Sequence, residues 1–177
     1  MISSKKGSGE LEKAIMMAIC EPVKNKSMID LMCHQAPITS GMGFKNTAYL
    51  DIQERGIDAM VDRNNLIIAD VLTYEFKDHY DVAFCLDGIE HLNYQDGLKL
   101  LDIMGSIADI NIIFTPLGEL STNPEDPHPD SHKFGWLPEH FNGWHTAVFP
   151  RWHPTLNAGA FFAWRGVDNI DKIIPFL

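Results

Sequence analysis

No C-x-x-C pair occurs in the 177 residues, and the three cysteines, Cys20, Cys33 and Cys85, are an odd number. A disulfide framework is therefore not expected, and Cys85, inside an apolar run, reads as a reduced thiol that packs. No run of Lys or Arg is present, and the formal charge is −10. Such a chain repels a polyphosphate backbone, so nucleic acid is a poor partner and a small or neutral substrate fits better. No apolar stretch reaches the ~20 residues that span a bilayer, and no secretory apolar core follows Lys5, Lys6 and Gly7. No membrane partner and a cytoplasmic location are the expectation. There is also no internal repeat or low-complexity tract.

What is present is enough apolar residue, 45% of the chain, for one sizeable core. Residues 1–9 read as a flexible lead-in and 10–177 as a single domain. From Glu10 to Cys20, Leu11, Ala14, Ile15, Ala18 and Ile19 recur at helical spacing. After a break at Pro22 come five strand-length apolar runs, Met28–Met32, Ala48–Ile52, Leu66–Ala69, Val82–Leu86 and Ile110–Phe114, which lack polar alternation. That is the pattern of strands covered on both faces in a parallel sheet. A helical face through Leu92, Leu98, Leu101, Ile103 and Met104 links the fourth run to the fifth. Pro116–Gly135, with Pro124, Pro127 and Pro129, reads as a long functional or disordered loop. A short helix at Pro138–Phe141 and an antiparallel strand pair, Thr146–Phe149 and Gly159–Trp164, complete the chain. The expected fold is α/β: a Rossmann-like, doubly wound, mostly parallel seven-stranded sheet with helices on both faces and an antiparallel terminal strand.

In such a sheet ligands bind beyond the carboxyl ends of the strands. Four successive runs deliver acidic residues to that rim: Asp30, Asp51, Asp70 and Asp87. A carboxylate at the second position can accept from both hydroxyls of a ribose, and one at the third from an adenine amino group. Each aspartate taken singly could instead cap a following helix.

The series M-I-D-L-M-C-H-Q-A-P, A-Y-L-D-I, I-I-A-D-V, Y-D-V-A-F-C-L-D-G-I-E-H-L and N-I-I-F-T-P, followed by H-K-F-G-W-L-P-E-H-F from His132, resembles the motif order of small class I S-adenosylmethionine-dependent methyltransferases. The resemblance covers Met28 to about Trp164. It implies S-adenosylmethionine as cofactor, with the methionine part over Asp30–Ala36, including Met32, Cys33 and His34. Asp51 and Ile52 would then serve the ribose, Asp70 and Val71 the adenine, and Leu86 the pocket wall. One departure stands out: Met32, His34 and Ala36 occupy positions where the family's first loop carries glycine, which lets backbone approach the cofactor closely. Two readings stay open, a remodelled working pocket and a methyltransferase fold that has lost its cofactor.

Asp87, Glu90 and His91 form D-x-x-E-H, and a helical turn there puts them on one face. With His128 or His132 from the long loop they offer a ligand set for a divalent metal ion. This resembles the E-x-x-E-H of small-RNA 3′-end 2′-O-methyltransferases, where a metal activates a ribose hydroxyl. The alternative is a metal-free first turn whose acidic residue suits the helix N-terminus. His132 is also the expected general base, while Asp87, His91 and Trp136 are expected to contact substrate. Trp164 is expected in the core, and Cys33 is expected to pack rather than act as a nucleophile. The function read from the sequence is methyl transfer to a small-molecule acceptor, with a homodimer left open. The competing functions are a non-catalytic binding protein and a metal-dependent RNA ribose methyltransferase.

Overall fold

The computed structural model describes residues 8–21, 25–36, 38–54, 58–59, 61–119, 122–153 and 158–176. The chain runs α1 (Ser8–Cys20), β1 (Ser27–Leu31), β2 (Asn46–Asp51), β3 (Leu66–Ile68), β4 (Tyr80–Leu86), α2 (Tyr94–Ile107), β5 (Ala108–Pro116), β6 (His145–His153), β7 (Ala158–Arg165) and a single turn α3 (Ile170–Ile173). All seven strands join one sheet in the order β3-β2-β1-β4-β5-β7-β6. The first five are mutually parallel, and β7 is antiparallel to both β5 and β6. Strand order reverses at β1, which lies between β2 and β4, so the ligand crevice belongs at the carboxyl ends of these strands.

The expected strands all form, within a few residues at each end. Their apolar side chains divide between two cores because successive residues point to opposite faces. On one face Met28, Val82, Phe84, Ile112 and Phe162 pack against Ile15, Met16 and Ile19 of α1 and against Ile173 of α3. On the other, Ile29, Leu31, Ala83, Ile113 and Phe161 pack against Leu100, Leu101, Met104 and Ile107 of α2. Asn93 caps α2, its side chain accepting from the Asp96 amide at 3.0 Å.

Several expectations shift. The segment called a lead-in ends sooner, since Ser8 and Gly9 already belong to α1; residues 1–7 and the break at Pro22 lie outside the described residues. The buried face of α1 is Glu12, Ile15, Met16, Ile19 and Cys20. That is roughly 100°, one residue's turn, from the stripe read off the sequence. Among the described residues, the β1–β2 and β2–β3 connections carry only 3₁₀ turns, at Thr39–Gly41 and Arg63–Asn65, and the β3–β4 connection carries no helix. Among the described residues Asp51 and Asp70, each a possible cap when taken singly, therefore have no α-helix to cap. The described part of the long loop is held by a hydrogen bond within itself, Asn123 N–H donating to His132 O at 2.7 Å, and by one to the turn after β4, Lys133 N–H donating to Glu90 O at 2.7 Å. No described helix is long and apolar enough to cross a membrane.

Candidate functional site

Two cavities open at the carboxyl ends of β1–β4. The first, about 220 Å³, is lined by Met32, His34, Asp51, Ile52, Asp70 and Val71, with Asp87, His91 and the loop residues Pro129 and Asp130 closing one side. The second, about 230 Å³, is lined by Asp30, Cys33, His34, Ala36, Ile38, Thr39, Leu86 and Asp87. Each is smaller than the ~300 Å³ at which small-molecule sites begin, but side by side they fall within that range. His34 and Asp87 line both, so together they form the partition between them.

All nine residues expected to bind the cofactor line one cavity or the other. The loop after β1 has a left-handed backbone at three residues that are not glycine: Met32, His34 and Ala36 have φ of 57°, 50° and 51°, and Asp87 after β4 has 48°. These values lie in the left-handed region that favours glycine. The loop is held across the crevice by the His34 backbone N–H, which donates to Asp51 Oδ2 at 2.8 Å. Asp51 Oδ1 accepts from Gln53 N–H at 3.1 Å, and Asp70 Oδ1 from Leu72 N–H at 2.9 Å. Both carboxylates are thus fixed by backbone amides of their own turns.

Asp30 is 2% exposed, and its Oδ2 accepts from the Thr39 hydroxyl at 2.6 Å, while Oδ1 has no partner. Burial, and then the negative charge of Asp51, push its carboxyl up to about 7 against the Thr39 hydrogen bond. Burial also drives the Cys33 thiol well upward, away from the thiolate form a nucleophile needs.

Behind Asp87, the side chains of Glu90, His91 and His132 bring ligand atoms within 4.8 Å of one another. Asp87 is outside this group. Glu90 is buried and accepts from the Thr115 hydroxyl at 2.9 Å. Burial and the neighbouring Asp87 raise its carboxyl to about 8. Burial lowers the pKa of His91, whose Nδ1 lies 3.4 Å from Ser131 O. Its ring meets that of His132 edge-on at 5.2 Å. Asp87 keeps solvent access, yet the surrounding protein raises its carboxyl to about 6.

Trp136 does not reach either cavity. It is fully buried against Gly97 of α2, and its indole N–H donates to Ile89 O at 3.1 Å, so it is a core residue rather than the expected substrate contact. Trp164 is buried as expected.

No family model matches this sequence, and no curated protein is detectably similar to it. Solved structures do match. The methyltransferase domain of bacterial CtHen1 superposes with a TM-score of 0.61 at 17% identity, over 89% of this chain and 98% of that one. The N-methyltransferase NodS from Bradyrhizobium japonicum, in complex with S-adenosylhomocysteine, gives 0.65 at 9% identity, over 91% and 88%. This chain has the class I methyltransferase fold. A third methyltransferase of that fold, the 1,6-didemethyltoxoflavin N1-methyltransferase of Burkholderia thailandensis, gives 0.65 at 12% identity, over 91% of this chain and 78% of that one.

Within the methyltransferase fold, sequence reasoning passed over the burial of Glu12 in α1, which lines neither cavity. Its signal was visible as an acidic residue three and four positions before Ile15 and Met16, on the same helical stripe.

Proposed function

We propose that this chain is a methyltransferase that binds S-adenosylmethionine across the two cavities and methylates a small acceptor. The observation that carries the reading is the orphaned Oδ1 of Asp30, a buried carboxylate oxygen on a cavity wall. A buried polar atom is stable there only with a partner, and the primary ammonium of the cofactor's methionine part supplies one. Asp51 would accept from the ribose hydroxyls and Asp70 from the adenine amino group, both already oriented by backbone amides. Val71 and Ile52 offer the adenine apolar surface. When bound, the cofactor contributes a methyl group on an already activated sulfonium. The chain's own part is positioning and water exclusion. Calorimetric titration with S-adenosylhomocysteine tests this: micromolar binding, lost in Asp51→Ala, supports it. Absence of binding by folded protein supports the non-catalytic reading instead.

A second reading, methyl transfer assisted by a divalent ion, is favoured by the Glu90–His91–His132 group. One carboxylate and two imidazoles suit zinc or manganese, and His132, as a ligand, would not then be the general base. The ion would polarise an acceptor hydroxyl such as that of a ribose. Titration of the protein with manganese or zinc, compared with a His91→Ala, His132→Ala double variant, separates this reading from metal-free transfer.

A further inference from the structure

The second cavity brings together two carboxylates from adjacent strands. Asp30, in register with Phe84 across the β1–β4 pair, and Asp87, just past the end of β4, both line it. Asp30 is 2% exposed, and its Oδ1 lacks a partner while Oδ2 accepts from the Thr39 hydroxyl. Among the described residues, neither cavity is lined by a Lys or Arg. In the second, the one nitrogen-bearing side chain of the lining is the exposed imidazole of His34.

An anion in this cavity needs N–H or O–H donors, and several of those at its wall are engaged already. The backbone N–H of Cys33 donates to Leu50 O at 3.0 Å, that of His34 to Asp51 Oδ2 at 2.8 Å, that of Ala36 to Cys33 O at 2.7 Å, and that of Asp87 to Phe114 O at 2.9 Å. All four residues line the cavity, as does Thr39, whose hydroxyl is committed to Asp30. The methionine part of the cofactor ends in an ammonium and a carboxylate, and the cavity treats them unequally. An ammonium completes Asp30 Oδ1 and is attracted by Asp87. A carboxylate loses its water, finds these donors committed and meets two like charges.

We propose that the second cavity is an amine subsite that selects against the cofactor's carboxylate, so that the protein prefers the decarboxylated cofactor and its thioether to the forms that keep the carboxylate. This rests on the methyltransferase reading above. The ligand class is an adenosine whose 5′ sulfur carries a short chain ending in an ammonium alone. Asp30 reads the ammonium, and Asp87 turns away the carboxylate. Asp87 can be neutralised with its backbone undisturbed, because asparagine also tolerates its left-handed φ of 48°.

The test is calorimetric titration at pH 8, where Asp30, raised to about 7, is ionised, with four thioethers that differ only at the chain end. S-adenosylhomocysteine carries both groups, 5′-S-(3-aminopropyl)-5′-thioadenosine only the ammonium, 5′-S-(3-carboxypropyl)-5′-thioadenosine only the carboxylate, and 5′-S-propyl-5′-thioadenosine neither. The aminopropyl compound should bind about tenfold more tightly than S-adenosylhomocysteine and than the propyl compound, with the carboxypropyl compound weakest. Asp30→Asn should bring the aminopropyl and propyl compounds within about threefold of each other, and Asp87→Asn should narrow the gap between the aminopropyl compound and S-adenosylhomocysteine. Each ratio is taken within one protein, so a general weakening of the pocket cancels. Equal or tighter binding of S-adenosylhomocysteine by the wild-type protein, or ratios unmoved in the two variants, would overturn the subsite and leave the methyltransferase reading standing. Binding of the aminopropyl compound with none of S-adenosylhomocysteine would uphold the subsite and remove S-adenosylmethionine as the cofactor. Failure of all four to bind folded wild-type protein would overturn both.

Discussion

The backbone N–H of His34 donates to Asp51 Oδ2 at 2.8 Å, joining the loop after β1 to the carboxylate that ends β2. Under the proposed function that one carboxylate has two duties, to hold the loop and to accept from a ribose. Charge-assisted hydrogen bonds contribute about 1.5–3 kcal/mol each. Asp51→Ala should therefore raise the dissociation constant for S-adenosylhomocysteine by roughly 10- to 150-fold. It should also lower the melting temperature of the unliganded protein, because the loop loses its tether. Asp51→Asn, with one acceptor oxygen, should fall between. Calorimetry and a thermal melt on the same samples check both, and an unchanged affinity in Asp51→Ala would remove the ribose role.

The left-handed backbone of Met32, His34 and Ala36 identifies where the chain carries strain. An L-residue there costs on the order of 1 kcal/mol that glycine does not. His34 is the exposed member of the three, so replacing it forfeits little packing. His34→Gly should raise the melting temperature by about 2–4 °C, less whatever the added freedom of the unfolded chain takes back. Because His34 is half of the partition between the two cavities, the same change should tighten S-adenosylhomocysteine binding. A lower melting temperature together with weaker binding would mean that the histidine side chain makes a contact worth more than the strain.

The rim of the sheet was legible because its chemistry is local. Asp30, Asp51, Asp70 and Asp87 each lie within two residues of a strand's carboxyl end, and such an end can be read from its apolar run. The strands themselves were legible from unbroken runs such as Val82–Leu86, which only a sheet covered on both faces accommodates. Trp136 was misread because its fate depends on a glycine 39 residues away in the sequence. Only the bare Cα of Gly97 leaves room for its ring. Glu12 was missed because helical periodicity weighs apolar residues, and a buried carboxyl looks like the polar side of the helix. Trp152 faces inward through a register irregularity that alternation alone does not reveal.

Gly97 gives the cleanest test of Trp136 as a core residue. A Cβ built at Gly97 would lie 2.2 Å from an atom of the Trp136 ring, a distance no side chain tolerates. Overpacking of this kind costs about 1–3 kcal/mol. Gly97→Ala should lower the melting temperature by about 2–12 °C, at roughly 2–4 °C per kcal/mol for a chain of this size. Affinity for S-adenosylhomocysteine in the cold should stay near the wild-type value, because neither residue lines a cavity. A variant of normal stability but impaired binding would return Trp136 to the ligand site.

Asp30 supplies a prediction in pH. Its folded carboxyl is raised to about 7 from an ordinary value near 4, so the unliganded folded state holds a proton that the unfolded chain releases. The stability this contributes is complete below pH 4 and is lost as pH rises toward 7. Cofactor binding runs the other way. An ammonium against Oδ1 favours the carboxylate, lowers its pKa and expels the proton. Affinity for S-adenosylhomocysteine should consequently rise between about pH 5 and pH 7, by at most tenfold per pH unit, and level off above. Calorimetry in buffers of different ionisation enthalpy should register a released proton on the acid side of this window. Asp30→Asn, which cannot ionise, should bind weakly and remove Asp30's share of the slope. A slope and a proton release that survive unchanged in Asp30→Asn would move the linkage to another carboxyl on the rim, with Asp87, raised to about 6, the next to vary.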